Sequence, residues 1–476
     1  MLVAIAWFCP FDLSREINVQ EDGRKLLNSG IAEAMLSFDE EGVPRIEPEG
    51  AQNSAGLLGL MGQEDVTLLQ EEYRRSGRSA RLKLRGFKAT ILGIDSEIEV
   101  YLLIHKTGFA VLSFWLFTDK VSNLNDIIRM EDPHERIKVR EIWPPLLDRA
   151  KRCKIVKIPE GSANKAGKDE EYAATIEVMR NIYICFVQTT ILGKASPCKA
   201  FEKKLRYPFF GASPMVAVFN VDQLDKFLDE HRKELFGILS GEKMWDSVRE
   251  EWVGKLMERN LAWREGWGVY IERNRALLVI SKEASELLKA KLPDIVIALG
   301  PPNLLPGLYP PYVIMIDKER VAAKIMTLDL AVIMENLMLQ KIMLRTYDYI
   351  LGRKMPRSIR KLTALKEEIS NALEEFLNVR VWNHLTATEW VEYGKRMMGI
   401  DEMYESIRRR LELVESTIRT LYDKMFNWLI FTLTVATGFL QILEPIIHAN
   451  PANICCSLIA FTVFLLVSYW MFRKFS

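Results

Sequence analysis

The chain has 476 residues, 49% of them hydrophobic and 27% charged, with 64 Lys and Arg against 63 Asp and Glu. A chain of roughly that length has room for two or three domains. Its net charge of +1 removes the electrostatic case for nucleic acid, which needs a basic domain to neutralise phosphates. A chain built mostly of membrane spans would carry far fewer charges, so the balance fits a globular body with a small membrane part.

The opening "MLVAIAWFCPF" is apolar but lacks a basic leader and a small-residue cleavage site, and it predicts a strand. Strand-like runs follow at 80–93 and 99–117. The second should fold as a hairpin about "HKTG", with Gly108 in the turn. The stretches 43–56 and 159–171 have loop composition. The run 172–192 predicts a second strand pair turning at "RN".

Helical patterns then appear at 221–239 and 243–263. Residues 268–280 predict a strand–turn–strand with Arg273 and Asn274 at its tip. A helix at 282–292 and strands at 294–300 and 312–317 come next, the last two separated by a proline-rich loop. Residues 318–351 predict one long helix. Its apolar core carries Asp329, Glu335 and Lys341, so it should be buried in protein.

The six cysteines form no C-x-x-C pair and fit neither a zinc site nor a disulfide framework. The five histidines are scattered. No dinucleotide fingerprint, P-loop, nucleophile elbow or H-E-x-x-H is present. "EDPHERIK" (131–138) gathers acids and a histidine but reads as a solvated loop. The chain is therefore not read as an enzyme, and no cofactor motif is present.

The C-terminal third is the most patterned part. Ile400, Tyr404, Ile407, Leu411, Val414, Ile418, Leu421 and Met425 recur at 4-3 spacing, a heptad seam of coiled-coil type. A second segment, with Leu362, Leu365, Ile369, Ala372, Phe376 and Val379, has similar spacing. It is either an antiparallel partner of the first within one chain or part of a self-associating surface.

Two apolar runs follow, 428–443 and 454–472, each close to the roughly 20 residues a helix needs to cross a bilayer. Basic residues flank both outer sides and are absent from the loop between, which predicts a hairpin with both termini cytoplasmic. A buried helical hairpin is the competing reading. Within the first run Asn427, Thr434, Gly438 and Gln441 share one helical face, with Glu444 and Asn450 beyond it. That polar stripe suits either a pore lining or close helix packing.

The expected organisation is an α+β cytoplasmic domain over 1–317, with a break near 195–220. A long-helix or coiled-coil stalk over 318–427 follows, and then a two-helix transmembrane hairpin with its outer loop at 444–453.

This layout, and "TLTVATGFLQIL" in particular, resembles the CorA-like family of divalent-cation channels. The resemblance implies a homo-oligomer in the lipid bilayer, a divergent ion channel or transporter for a divalent cation with a cytoplasmic regulatory domain. The pore-facing candidates would be Asn427, Thr434, Gly438, Gln441, Glu444 and Asn450. The Gly-Met-Asn tripeptide that ends the family's first span is absent, and "EPIIHANPAN" stands in its place. The segment 374–431 and the strand "KTGFAVLSFW" also resemble the required-for-meiotic-nuclear-division membrane family. That resemblance implies a membrane-anchored scaffold that recruits partners through its cytoplasmic domain and coiled coil.

Overall fold

The computed structural model describes residues 1–13, 15–38, 44–47, 79–152, 172–193, 211–291, 295–298, 312–315, 318–353, 358–377, 385–449 and 462–463. In chain order the first elements are β1 (Leu2–Asp12), α1 (Val19–Asn28), β2 (Ala32–Phe38), β3 (Pro44–Glu47), β4 (Ser79–Ile91), β5 (Ile94–His105) and β6 (Phe109–Thr118). Then come α2 (Leu124–Met130), β7 (Ile137–Arg140), α3 (Pro144–Arg152), β8 (Tyr172–Ala174), α4 (Ile176–Leu192) and β9 (Ser213–Val221). Helices α5 (Leu224–Glu230), α6 (Arg232–Ser240) and α7 (Glu250–Met257) lead to β10 (Trp267–Glu272), β11 (Arg275–Ser281) and α8 (Lys282–Lys291). The chain continues through β12 (Ile295–Ala298), β13 (Tyr312–Met315), α9 (Lys318–Arg353), α10 (Ile359–Leu377), α11 (Leu385–Met397) and α12 (Ile400–Ala449).

Two compact units result. The first comprises residues 1–345 and 379–401, the second 346–378 and 402–476. In the first, the main sheet runs β10-β11-β9-β1-β6-β5-β4-β2-β3, with β7 and β8 branching from β4. The sheet is mixed: β1 pairs antiparallel with β6 and β9, while β9 and β11 run parallel. Strand β1 is apolar throughout because it sits between two neighbours and is covered on both faces. Val3, Ile5, Trp7, Cys9 and Phe11 enter the main core with Leu82, Leu102, Leu112 and Phe114. Helices α1, α2, α4, α6 and α7 close that face through Leu26, Ile127, Ile182, Leu235 and Val253. The opposite face, carrying Arg81, Glu99 and Ser113, is met by α9.

The β5–β6 hairpin forms where the sequence places it, with Gly108 at φ +83°. A Cβ there would stand 1.8 Å from the Arg15 carbonyl oxygen, so only glycine fits. The β10–β11 turn at Arg273 and Asn274 and the long helix from Lys318 also form as expected.

Residues 176–192 depart from expectation: they are one helix, not a strand pair. Thr175 caps its start, its hydroxyl accepting from the Val178 N–H at 3.2 Å, and Gly193 ends it at φ +62°. The helix is apolar nearly all round because the core surrounds it. Its β-branched content therefore mimicked a strand while tertiary burial decided the outcome.

The larger correction concerns the C-terminus. Among the described residues no helix is long and apolar enough to cross a membrane. The transmembrane hairpin, and with it integral-membrane placement with cytoplasmic termini, is not supported. The first run, residues 428–443, is about 24 Å long at 1.5 Å per residue, against about 30 Å of hydrocarbon. It is the continuation of the 50-residue α12, whose earlier turns carry Arg419, Asp423 and Lys424. The expected outer loop begins as helix and stays helical to Ala449. The second run, 454–472, lies outside the described residues apart from Thr462 and Val463.

Candidate functional site

Two places in the molecule concentrate polar or unusual side chains: the length of α12 in the second unit, and the face of the sheet under α9 in the first.

Along α12 the heptad spacing coincides with burial. Ile400, Ile407 and Val414 are buried, and Tyr404, Leu411, Ile418, Leu421 and Met425 are half-buried. Glu402, Glu405, Arg408, Glu412 and Leu413 between them are exposed. Helix α10 lies alongside, with Leu362, Leu365, Ile369 and Ala372 buried and Lys366 paired to Glu415 at 2.9 Å. The last turns of α9 add Asp348, paired to Arg410 at 3.3 Å. The Lys366 ammonium and the Arg419 guanidinium hold the exposed Glu415 carboxyl below its ordinary pKa. Helix α10 has 19 residues and α12 has 50. These correspond to about 28 and 75 Å, so α10 covers less than half of α12.

Beyond Leu421, large apolar side chains stand in solvent. Phe426 is 61% exposed and Leu433 59%. With Tyr422 and Leu429, also exposed, they form a second stripe at 4-3-4 spacing. A helix apolar all round requires a partner.

The six polar candidates fall as follows. Asn427, Thr434 and Gln441 are exposed on α12. The Thr434 hydroxyl donates to the Ile430 carbonyl at 2.9 Å, so it is satisfied within its own helix. A Cβ on Gly438 would meet no atom within 4 Å. Glu444 belongs to α12 but its side chain lies outside the described residues, as does the whole of Asn450. The shared element is thus one helix.

The groups under α9 were less visible in the sequence. Arg81 on β4 donates through Nη2 to both carboxylate oxygens of Glu335, each at 2.6 Å. Ser113 donates to Glu335 at 3.3 Å and accepts from Trp115 Nε1 at 3.2 Å. One turn of chemistry away, Glu99 receives Lys324, Arg320 and the Tyr101 hydroxyl at 2.7, 2.7 and 2.9 Å. Burial disfavours the Glu99 carboxylate, but Lys324 and Arg320 outweigh it and hold its pKa below the usual range. Burial and the Glu99 charge push Tyr101 well up, and burial draws Lys324 down despite Glu99.

Most of these groups are buried, although the Arg320 side chain is 36% exposed. Chemically they clamp a helix to a sheet. Among the described residues, no three His, Cys, Asp or Glu side chains are grouped to hold a metal ion.

Glu335 within an apolar helix was the one sequence signal for this network. Its partners Arg81 and Glu99 looked like ordinary strand charges, because strand alternation cannot tell a solvated face from one covered by a distant helix. The "EDPHERIK" loop also differs from its solvated reading. Glu131 is buried and paired to Arg275 at 2.6 Å, and Trp7 Nε1 donates to the Glu131 carbonyl at 2.7 Å.

Compared with protein-family models, curated proteins and solved structures, the chain matches none.

Proposed function

We propose that the protein is a self-associating scaffold: α12 joins copies of the chain, and the sheet-bearing unit recruits protein partners. The observation that carries this is the apolar surface of α12 beyond Leu421, left in solvent where α10 is too short to reach. Its side chains recur at heptad spacing, which is the geometry of one helix packing on another. A second α12 supplies the matching surface. The ion pairs that tie α9 to the sheet of the first unit suit a rigid platform. The channel expectation depends on two spans per chain and is not carried forward.

Co-expression of two differently tagged full-length chains tests this. Each tag should retain the other, and Phe426→Glu with Leu433→Glu should abolish retention while far-UV circular dichroism stays unchanged. Retention that survives the double substitution contradicts the reading. So does a single-copy protein recovered only with lipid vesicles.

A further inference from the structure

The loop between α7 and β10 is short and unusually well tied. The Leu261 N–H donates to the Val269 carbonyl at 2.8 Å. The Asn260 side chain accepts from the N–H groups of Ala262 and Val269 at 3.0 and 2.9 Å, and donates to the Trp267 carbonyl at 3.3 Å. Trp390 on α11, itself buried, donates its indole N–H to the Leu261 carbonyl at 2.8 Å. The loop is therefore anchored to two elements of the same unit.

What the loop presents is a set of stacked cations. The Arg264 guanidinium lies 4.3 Å from the centre of the Trp263 ring and 5.3 Å from that of Trp267. Arg259 and Arg396 lie 5.7 and 6.0 Å from the Tyr393 ring. Trp263 is 47% exposed, and all three arginines are exposed.

Among the described residues none of the three makes a hydrogen bond or an ion pair. Other arginines are matched to acids, among them Arg24 to Glu47 and Arg275 to Glu131. A guanidinium that uses its flat face on an aromatic ring keeps its N–H edge for a planar anion. Trp, Tyr and Arg are also the side chains that dominate binding energy at protein interfaces. The exposed carboxylates of Glu258 and Glu265 lie next to Arg259 and Arg264 in sequence, and Glu392 lies one helical turn before Arg396. Interleaved negative charge opposes a polyphosphate backbone but tolerates discrete carboxylates at chosen points.

We propose that Trp263, Arg264, Tyr393 and Arg396, together with Arg259, form a docking surface for an acidic segment of a partner protein. The segment's carboxylates would meet the free guanidinium edges while an apolar side chain covers Trp263. This specifies the recruiting surface of the scaffold and rests on that reading.

The test uses the full-length chain and a fluorescent synthetic peptide of alternating glutamate and leucine, with oligothymidine of equal length as the comparison. The peptide should bind saturably, with affinity falling as salt rises. Arg264→Ala with Arg396→Ala should weaken it about tenfold or more. Arg264→Lys should fail to restore it, since a lysine offers no planar fork. Thermal melting should be unchanged in all variants, because these side chains are exposed. Absence of peptide binding, equal binding by the double variant, or tighter binding of oligothymidine overturns the proposal. Sedimentation of the same samples separates the two ideas. Lost peptide binding with intact self-association sinks only the docking surface, whereas a monomeric wild-type chain sinks the scaffold.

Discussion

Arg81 and Glu335 illustrate what a single buried side chain does in this protein. Each is nearly inaccessible, and each satisfies the other with two contacts at 2.6 Å. Taking two charges from water offsets much of their mutual attraction, so the pair adds little net stability. Removing one partner leaves an uncompensated buried charge. Arg81→Met should therefore destabilise the fold by about 3–5 kcal/mol, and adding Glu335→Leu should recover most of that loss. Urea denaturation of both variants checks this; equal stability of the single and double variants would contradict it.

Two other buried groups make stability depend on pH, in opposite directions. Burial pushes Glu131 from 4.5 up to about 8, against the opposing effect of Arg275. The folded state therefore holds the proton longer than the unfolded state, and this group's contribution declines as pH rises from 4.5 to about 8. Burial, with repulsion from Arg345, draws Lys341 down from 10.5 to about 8. Here the unfolded state binds the proton more tightly, so stability recovers as pH rises from about 8 to 10.5. Lys341 has Asn274 Oδ1 as its hydrogen-bond partner, at the tip of the β10–β11 turn. Lys341→Met should stabilise the protein at neutral pH by roughly 1–3 kcal/mol and remove the alkaline recovery. Chemical denaturation at several pH values measures both. An unchanged alkaline slope in the variant would show that Lys341 does not cause it.

At the scale of elements, the sequence was legible where local chemistry and tertiary context agree. The β5–β6 hairpin has its glycine in the turn, and α9 has a long apolar pattern with no breaker, so both lie close to where their residues put them. Helix α4 was misread because its isoleucines and threonines carry strand propensity, whereas its caps, Thr175 and Gly193, were the decisive signals. The seam of α12 was legible as a heptad. Its division was not: the seam beside α10 is buried or half-buried, whereas Tyr422, Phe426, Leu429 and Leu433 farther along the helix are exposed. Nothing in 4-3 spacing says how long the partner helix is. The candidate polar stripe was likewise readable as one face of one helix, while Thr434 spends its hydroxyl on the Ile430 carbonyl. The docking loop was not legible at all. Trp263 and Arg264 are adjacent in sequence, but Tyr393 lies more than a hundred positions away and reaches the loop at Arg259, beside the Trp390 anchor.

For the whole molecule, nearly equal numbers of acidic and basic residues give almost no net charge to drive assembly, and apolar surface is the force that can. Trp428, Leu429, Ile430, Phe431 and Leu433 form a run of exposed large side chains among the described residues. Such patches mark interaction sites. Self-association of the full chain through α12 is therefore the central claim, and sedimentation velocity at graded protein concentration tests it most directly. The account expects a wild-type species of at least two copies, reduced to one copy by Phe426→Glu with Leu433→Glu. A wild-type chain that sediments as one copy at every concentration would contradict it.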